Sequence, residues 1–130
     1  MVSTLVVTLG NMAEALIEST DRIIGRSDFV NSFCVDWNSN LEETKTQLAE
    51  RIDQTNRGHG VLLLTDMFGG TSTNLCLSFL KPQKVEVVTG VNLPMIVKAL
   101  TLPDHISVAE AAKILRNQGR KAIYIASEML

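Results

Sequence analysis

Asp66 closes a largely apolar run, Val61–Thr65 (VLLLT), and is followed by Met67, Phe68, the pair Gly69-Gly70 and the polar stretch Thr71-Ser72-Thr73-Asn74. An acid at a strand end, a glycine pair and the polar opening of a helix make chemical sense together. The carboxylate can orient or charge a neighbouring group. The glycines let backbone approach a ligand, and the first amides and hydroxyls of the helix offer donors to an anion. A phosphoryl group suits such a set. Two other turns share the character: Thr8-Leu9-Gly10-Asn11 after the run Thr4–Thr8 (TLVVT), and Gly90-Val91-Asn92 after Val85–Val88 (VEVV). Each feature also has a plainer reading. Gly69-Gly70 alone describes any tight strand-to-helix turn, and Asp66 alone could simply bond turn amides.

The elements that must position these turns follow from pattern. Thr4–Thr8 and Val61–Thr65 are short and uniformly apolar, as expected of strands buried on both faces, with the latter central. Phe29–Val35 (FVNSFCV) predicts a second strand nearer an edge, and Val85–Val88 a fourth. Between them, Met12–Ile24 has helical spacing at Met12, Leu16, Ile23 and Ile24, with Asn11 as N-cap and Gly25 as C′. Asn40 and Glu43 resemble a capping box for a helix whose apolar stripe is Leu41, Leu48 and Ile52. The helix after Gly69-Gly70 runs to about Leu80, where Pro82 prevents its continuation. Asn92 caps Leu93–Leu100, with Pro94 in its first turn. Ser107 and Glu110 form a capping box for a helix that Gly119 terminates, and Ala122–Ala126 (AIYIA) predicts a last strand. Strands alternating with helices give an α/β class with a mainly parallel sheet. That topology gathers all three turns at the carboxyl edge of the sheet, where ligands of open α/β sheets bind.

The rest of the composition narrows the chemistry. The chain has 130 residues, 45% hydrophobic and 20% charged, with a formal net charge of −2. This predicts a single domain over residues 1–130 and no basic footprint for nucleic acid. No apolar run reaches the ~20 residues that cross a bilayer, and no secretory leader is expected at the N-terminus. Cys34 and Cys76 match no metal or redox spacing, so they read as small buried hydrophobes in a reducing cytoplasm. No metal site and no cofactor are expected. His59 precedes the third strand and His105 follows the Leu93–Leu100 helix, which places both at the opposite edge of the sheet from Asp66.

Three stretches in order, LVVTLGNMAEALIE, GVLLLTDMFGGTSTN and VVTGVNLPM, give the whole chain a resemblance to enzyme IIA of the mannose family in the bacterial phosphoenolpyruvate-dependent sugar phosphotransferase system. The resemblance implies an open, doubly wound sheet with helices on both faces. It also implies an antiparallel C-terminal edge strand exchanged between the subunits of a homodimer, here Ala122–Ala126. It implies a cytoplasmic phosphoryl carrier that takes its group from HPr on one histidine and passes it to a IIB domain, peripheral to a membrane sugar permease. The family's histidine sits in the turn after strand one, and Leu9 occupies its place. The histidine-orienting acid falls on Asp66. The phosphoryl-contacting hydroxyl and amides fall on Thr71, with Gly70 and Ser72 beside it, and Thr8, Gly10, Phe68, Gly69 and Asn92 line the neighbouring turns.

Leucine has no lone pair, cannot form a phosphoamidate and does not titrate. The resemblance therefore predicts a IIA-like component that is not phosphorylated at this turn and acts by binding partners or by regulation, with Asp66 deprived of its natural partner. Other readings stay open on sequence: an active carrier into which a His→Leu change was introduced, a small-molecule or nucleotide-binding α/β module reusing the glycine turn, or a purely structural dimerisation module. The second lacks both a G-x-G-x-x-G fingerprint and a Walker lysine.

Overall fold

The computed structural model describes residues 1–130. Four strands form one parallel sheet: β1 (Ser3–Leu9), β2 (Val30–Val35), β3 (Val61–Thr65) and β4 (Val85–Thr89), in the order β2-β1-β3-β4. The register pairs Thr4 with Val30 on one side of β1 and with Leu62 on the other, and Leu62 with Glu86 across β3 and β4. The two uniformly apolar runs occupy the two interior positions, as parallel strands covered on both faces require. β2, more mixed in pattern, lies at an edge.

Five helices cover the sheet: α1 (Met12–Ile24), α2 (Leu41–Thr55), α3 (Thr71–Leu77), α4 (Leu93–Ala99) and α5 (Val108–Lys121). One face packs Val2, Val6, Leu62 and Leu64 against Ala13, Met95, Ile96, Ala111 and Leu115 of α1, α4 and α5. The other packs Leu5, Val7, Val61 and Leu63 against Leu48, Ile52 and Cys76 of α2 and α3. Alternate residues of β1 thus serve different cores, which makes the sheet doubly wound.

The caps decide where several helices begin. Asn40 accepts from the Glu42 and Glu43 amides. Asn92 accepts from Met95 N–H, and Ser107 from Glu110 N–H. Asn11, expected to cap α1, makes no such bond; the hydroxyl of Thr8 at the end of β1 accepts from Ala13 N–H at 2.8 Å instead. α1 also turns a narrower face inward than its apolar spacing predicts. Ala13 and Thr20 are buried, Leu16 and Ile17 are half-buried, and Met12, Ile23 and Ile24 are exposed. Small side chains let α1 lie close to the sheet. Leu41 is likewise exposed at the tip of α2. α3 stops at Leu77, ahead of the expected Leu80, because the chain tightens into a Phe79 N–H to Cys76 carbonyl turn before Pro82.

One expectation about the C-terminal region is corrected. Gly119 does not end α5 but lies inside it, buried, where an added Cβ would meet Met95 Cγ and Sδ at 2.7 Å. It allows α5 to pack against α4. Ala122–Ala126, expected as a strand exchanged between subunits, pairs with nothing inside its own chain. Ile123, Tyr124 and Ile125 are more than 60% exposed and lead into a single 3₁₀ turn, Ala126–Met129. Extended backbone becomes a strand only when a neighbour accepts its hydrogen bonds, and β4 does not take up this segment.

Candidate functional site

From β1 the chain crosses to β2 on one side, and β3 lies on the other side of β1. The carboxyl ends of β1 and β3 therefore flank the point where the winding reverses. In open α/β sheets a crevice opens there, because the two following connections diverge to opposite faces. The Leu9–Asn11 and Asp66–Gly70 turns are the walls of that crevice.

Asp66 ties the walls together. Its Oδ2 accepts from the backbone N–H of Leu9 at 2.9 Å. Its Oδ1 accepts from its neighbour Met67 N–H at 2.9 Å and from the hydroxyl of Ser72 in α3. Burial pushes the Asp66 carboxyl up, but the hydrogen bonds from Leu9, Ser72 and Met67 outweigh it and hold the group below its usual range. The carboxylate is thus ionised at neutral pH. The plainer sequence reading, an acid that bonds turn amides, holds for this residue: its partners are two backbone amides and one serine.

A second layer supports the loop. Thr73 is fully buried, and its Oγ1 lies 2.7 Å from both Thr65 Oγ1 and the Met67 carbonyl. The Gly70 amide donates to the same carbonyl at 3.1 Å. Gly69 takes φ +86°, which disfavours any side chain, and a Cβ on Gly70 would lie 3.2 Å from Met67 O. One turn below, burial and then the Asp66 charge push the Cys76 thiol up to about 12.

The other predicted residues divide by position. Thr8 is buried and bonds α1. Gly10 takes φ +70°, and a Cβ there would lie 3.1 Å from Trp37 Nε1. Thr71 is exposed at the start of α3, whereas the Ser72 hydroxyl is occupied by Asp66. Asn92 stands at the top of β4, where its amide bonds Met95 N–H and the Gly119 carbonyl. Gly90 and Asn92 line a groove along β4 that Phe68 also borders. His59 and His105 are exposed in loops away from the crevice. His59 stands before β3 and Asp66 after it, about 17 Å of strand apart.

The sequence reading named Leu9 and Phe68 but missed the rest of the apolar rim. Trp37, just past the end of β2, is 74% exposed, and Met67 and Phe68 on the β3 turn are 67% and 75% exposed. With half-buried Leu9 and exposed Met12 they surround the crevice with apolar surface. Trp37 was detectable in principle as the chain's one tryptophan, placed immediately after a strand.

The family model described as PTS system fructose IIA component matches residues 3–115 of the chain. The chain belongs to this family. It is a IIA-like component of the mannose type, and its similarity to individual members extends over almost its full length. It is 26% identical over all of its residues to a PTS system fructose-specific EIIA component of Bacillus subtilis, of which it covers 90%. It is 30% identical over 89% of its length to a PTS system mannose-specific EIIAB component of Escherichia coli, of which it spans 36%. Among solved structures, a mannose/sorbose-specific IIA subunit from Enterococcus faecalis is 29% identical and superposes with a TM-score of 0.83, with 96% of this chain and 95% of that one covered. The IIA-like chain has no helix long and apolar enough to cross a membrane.

Proposed function

We propose that this IIA-like component docks with HPr-like and IIB-like proteins of the sugar phosphotransferase system through the crevice edge but does not carry a phosphoryl group there. It acts instead as a binding or regulatory counterpart of the carrier, in the cytoplasm beside a membrane sugar permease. The observation that carries this reading is Leu9, which stands where the family resemblance calls for the acceptor histidine, with its backbone N–H bound to Asp66. Neither a histidine nor a thiolate takes its place. Both histidines are in distant exposed loops, and the buried Cys76 thiol stays protonated at neutral pH. The apolar rim of Leu9, Met12, Trp37, Met67 and Phe68 suits a protein contact.

The same reading makes the chain one subunit of a homodimer. The sheet ends in the edge strand β4, which no other long strand covers. Between the end of α5 and the 3₁₀ turn, Ile123, Tyr124 and Ile125 are exposed and pair with no strand of their own chain. A second copy supplies one by exchange, which removes the open edge.

Incubation with phosphoenolpyruvate, enzyme I and HPr tests the central claim. The expected result is no acid-labile phosphoryl adduct by intact mass. Leu9→His is expected to acquire one, because Asp66 and the Gly69–Ser72 turn are already held in place. Robust phosphorylation of the unaltered protein would overturn the proposal. Failure of Leu9→His would mean that the crevice has diverged at more than this residue.

A further inference from the structure

The open edge of β4 is guarded by one of its own side chains. In a parallel ladder alternate residues of an edge strand turn their backbone groups inward and outward. Lys84 gives its carbonyl to Val61 on β3, so Val85, Val87 and Thr89 face outward. Val85 is already satisfied by the Lys81 bridge, in both directions, at 3.1 and 2.9 Å. That leaves two outward N–H groups on the strand, those of Val87 and Thr89. The first is taken: Glu86 Oε1 accepts from Val87 N–H at 2.9 Å. The Glu86 side chain lies in a groove of about 600 Å³ between β4 and α5, whose walls include Val88, Met95 and Ala112.

We infer that Glu86 is a gate on the β4 edge, competing with the incoming strand of a second copy for Val87 N–H. The inference rests on the homodimer reading above and adds to it what sets the strength of the association. The occupant is Ala122–Ala126 of the other copy. Its Ile123, Tyr124 and Ile125 are exposed and pair with no strand of the single chain, although the Ile125 carbonyl accepts from Glu128 N–H and must give up that turn on exchange. It offers the carbonyls that Val87 and Thr89 require. Displaced from Val87, the Glu86 carboxylate has somewhere to go. Lys113, Arg116 and Arg120 line the same groove from α5, and none of them is in an ion pair. In the lone chain the self-cap covers half of the exposed donors, which limits indiscriminate strand pairing. Only a strand that offers both a backbone acceptor and apolar cover for the groove displaces it.

Sedimentation equilibrium on the full chain, with Glu86→Ala and Glu86→Gln, tests the gate. Removing the competing acceptor from both copies is expected to tighten the dimer about ten- to hundredfold, the scale of two competing hydrogen bonds, one in each copy. Glu86→Gln keeps an acceptor oxygen without the charge, and its dissociation constant is expected to stay near that of the unaltered chain. Amide exchange at Val87, read at a concentration where the chain is monomeric, should be slow in the unaltered chain and fast in Glu86→Ala. A dimer equally strong in Glu86→Ala overturns the gate alone. So does a Glu86→Gln dimer tightened as much as Glu86→Ala, because charge would then be the cause. Val87 exchange that is already fast in the unaltered monomer also overturns it. A chain that stays monomeric at every concentration overturns the dimer reading and the gate with it.

Discussion

Removing the Asp66 carboxylate should loosen the crevice by an amount its hydrogen bonds set. Asp66→Ala deletes three bonds, from Leu9 N–H, Met67 N–H and the Ser72 hydroxyl. At about 1 kcal/mol net for each, the ceiling is about 3 kcal/mol. The group is partly open to water, and freed donors on the turns can rehydrate. The expected loss is therefore about 2 kcal/mol, and Asp66→Asn, which keeps one acceptor oxygen, should lose about 1 kcal/mol. The pH dependence separates this cause from simple repacking. The folded-state carboxyl is held below its unfolded value, so its contribution is complete above about pH 4 and disappears as pH falls through the folded value. Urea unfolding followed by circular dichroism at pH 7, 5 and 3 measures it. The gap between the unaltered chain and Asp66→Asn should be the same at pH 7 and 5 and should shrink at pH 3. A loss below about 0.5 kcal/mol for Asp66→Ala, or a gap that does not change at pH 3, would refute the clamp.

Three further outcomes follow from packing and burial. Thr73→Val should cost about 1–2 kcal/mol in urea unfolding, because it leaves the buried Thr65 hydroxyl without its partner and removes one of the two donors to the Met67 carbonyl. Gly119→Ala should cost about 1–3 kcal/mol, because its methyl meets Met95, and the loss should be smaller in a Met95→Ala background, where a double-mutant cycle detects the coupling. Cys76 should resist thiol reagents in the native protein at pH 8 and react only on unfolding, since its thiol is buried and raised to about 12; Cys34, half-buried on β2, is the internal comparison for the labelling.

Strands and caps were the legible part of the fold, and the reason is local. Val61–Leu64 is aliphatic at every position and the whole strand to Thr65 is buried, as a strand enclosed on both faces of an alternating α/β pattern requires. Asn40, Asn92 and Ser107 cap their helices through bonds that span two or three residues. Where a longer-range competitor existed, local reasoning failed. Thr8 reaches α1 and replaces Asn11 as its cap, and Gly119, by type a helix stop, is instead the point inside α5 where Met95 packs. In the crevice, Asp66 and the Gly69–Ser72 turn stood out by type and spacing. Trp37 did not, because nothing in its neighbours says that the end of β2 comes within reach of Gly10.

By itself the sequence determined the α/β class, the meeting of three turns at one sheet edge and the leucine in the first of them. These are matters of residue type, period and order, and they do not depend on which distant groups touch. Tertiary structure alone decided what Asp66 does. Its bonds to Leu9 N–H and Ser72 cross between elements whose approach is set by strand order β2-β1-β3-β4, and strand order leaves no mark on local periodicity. It also decided the fate of Ala122–Ala126. A strand is a relation between two segments, and within one chain this segment finds no neighbour along β4.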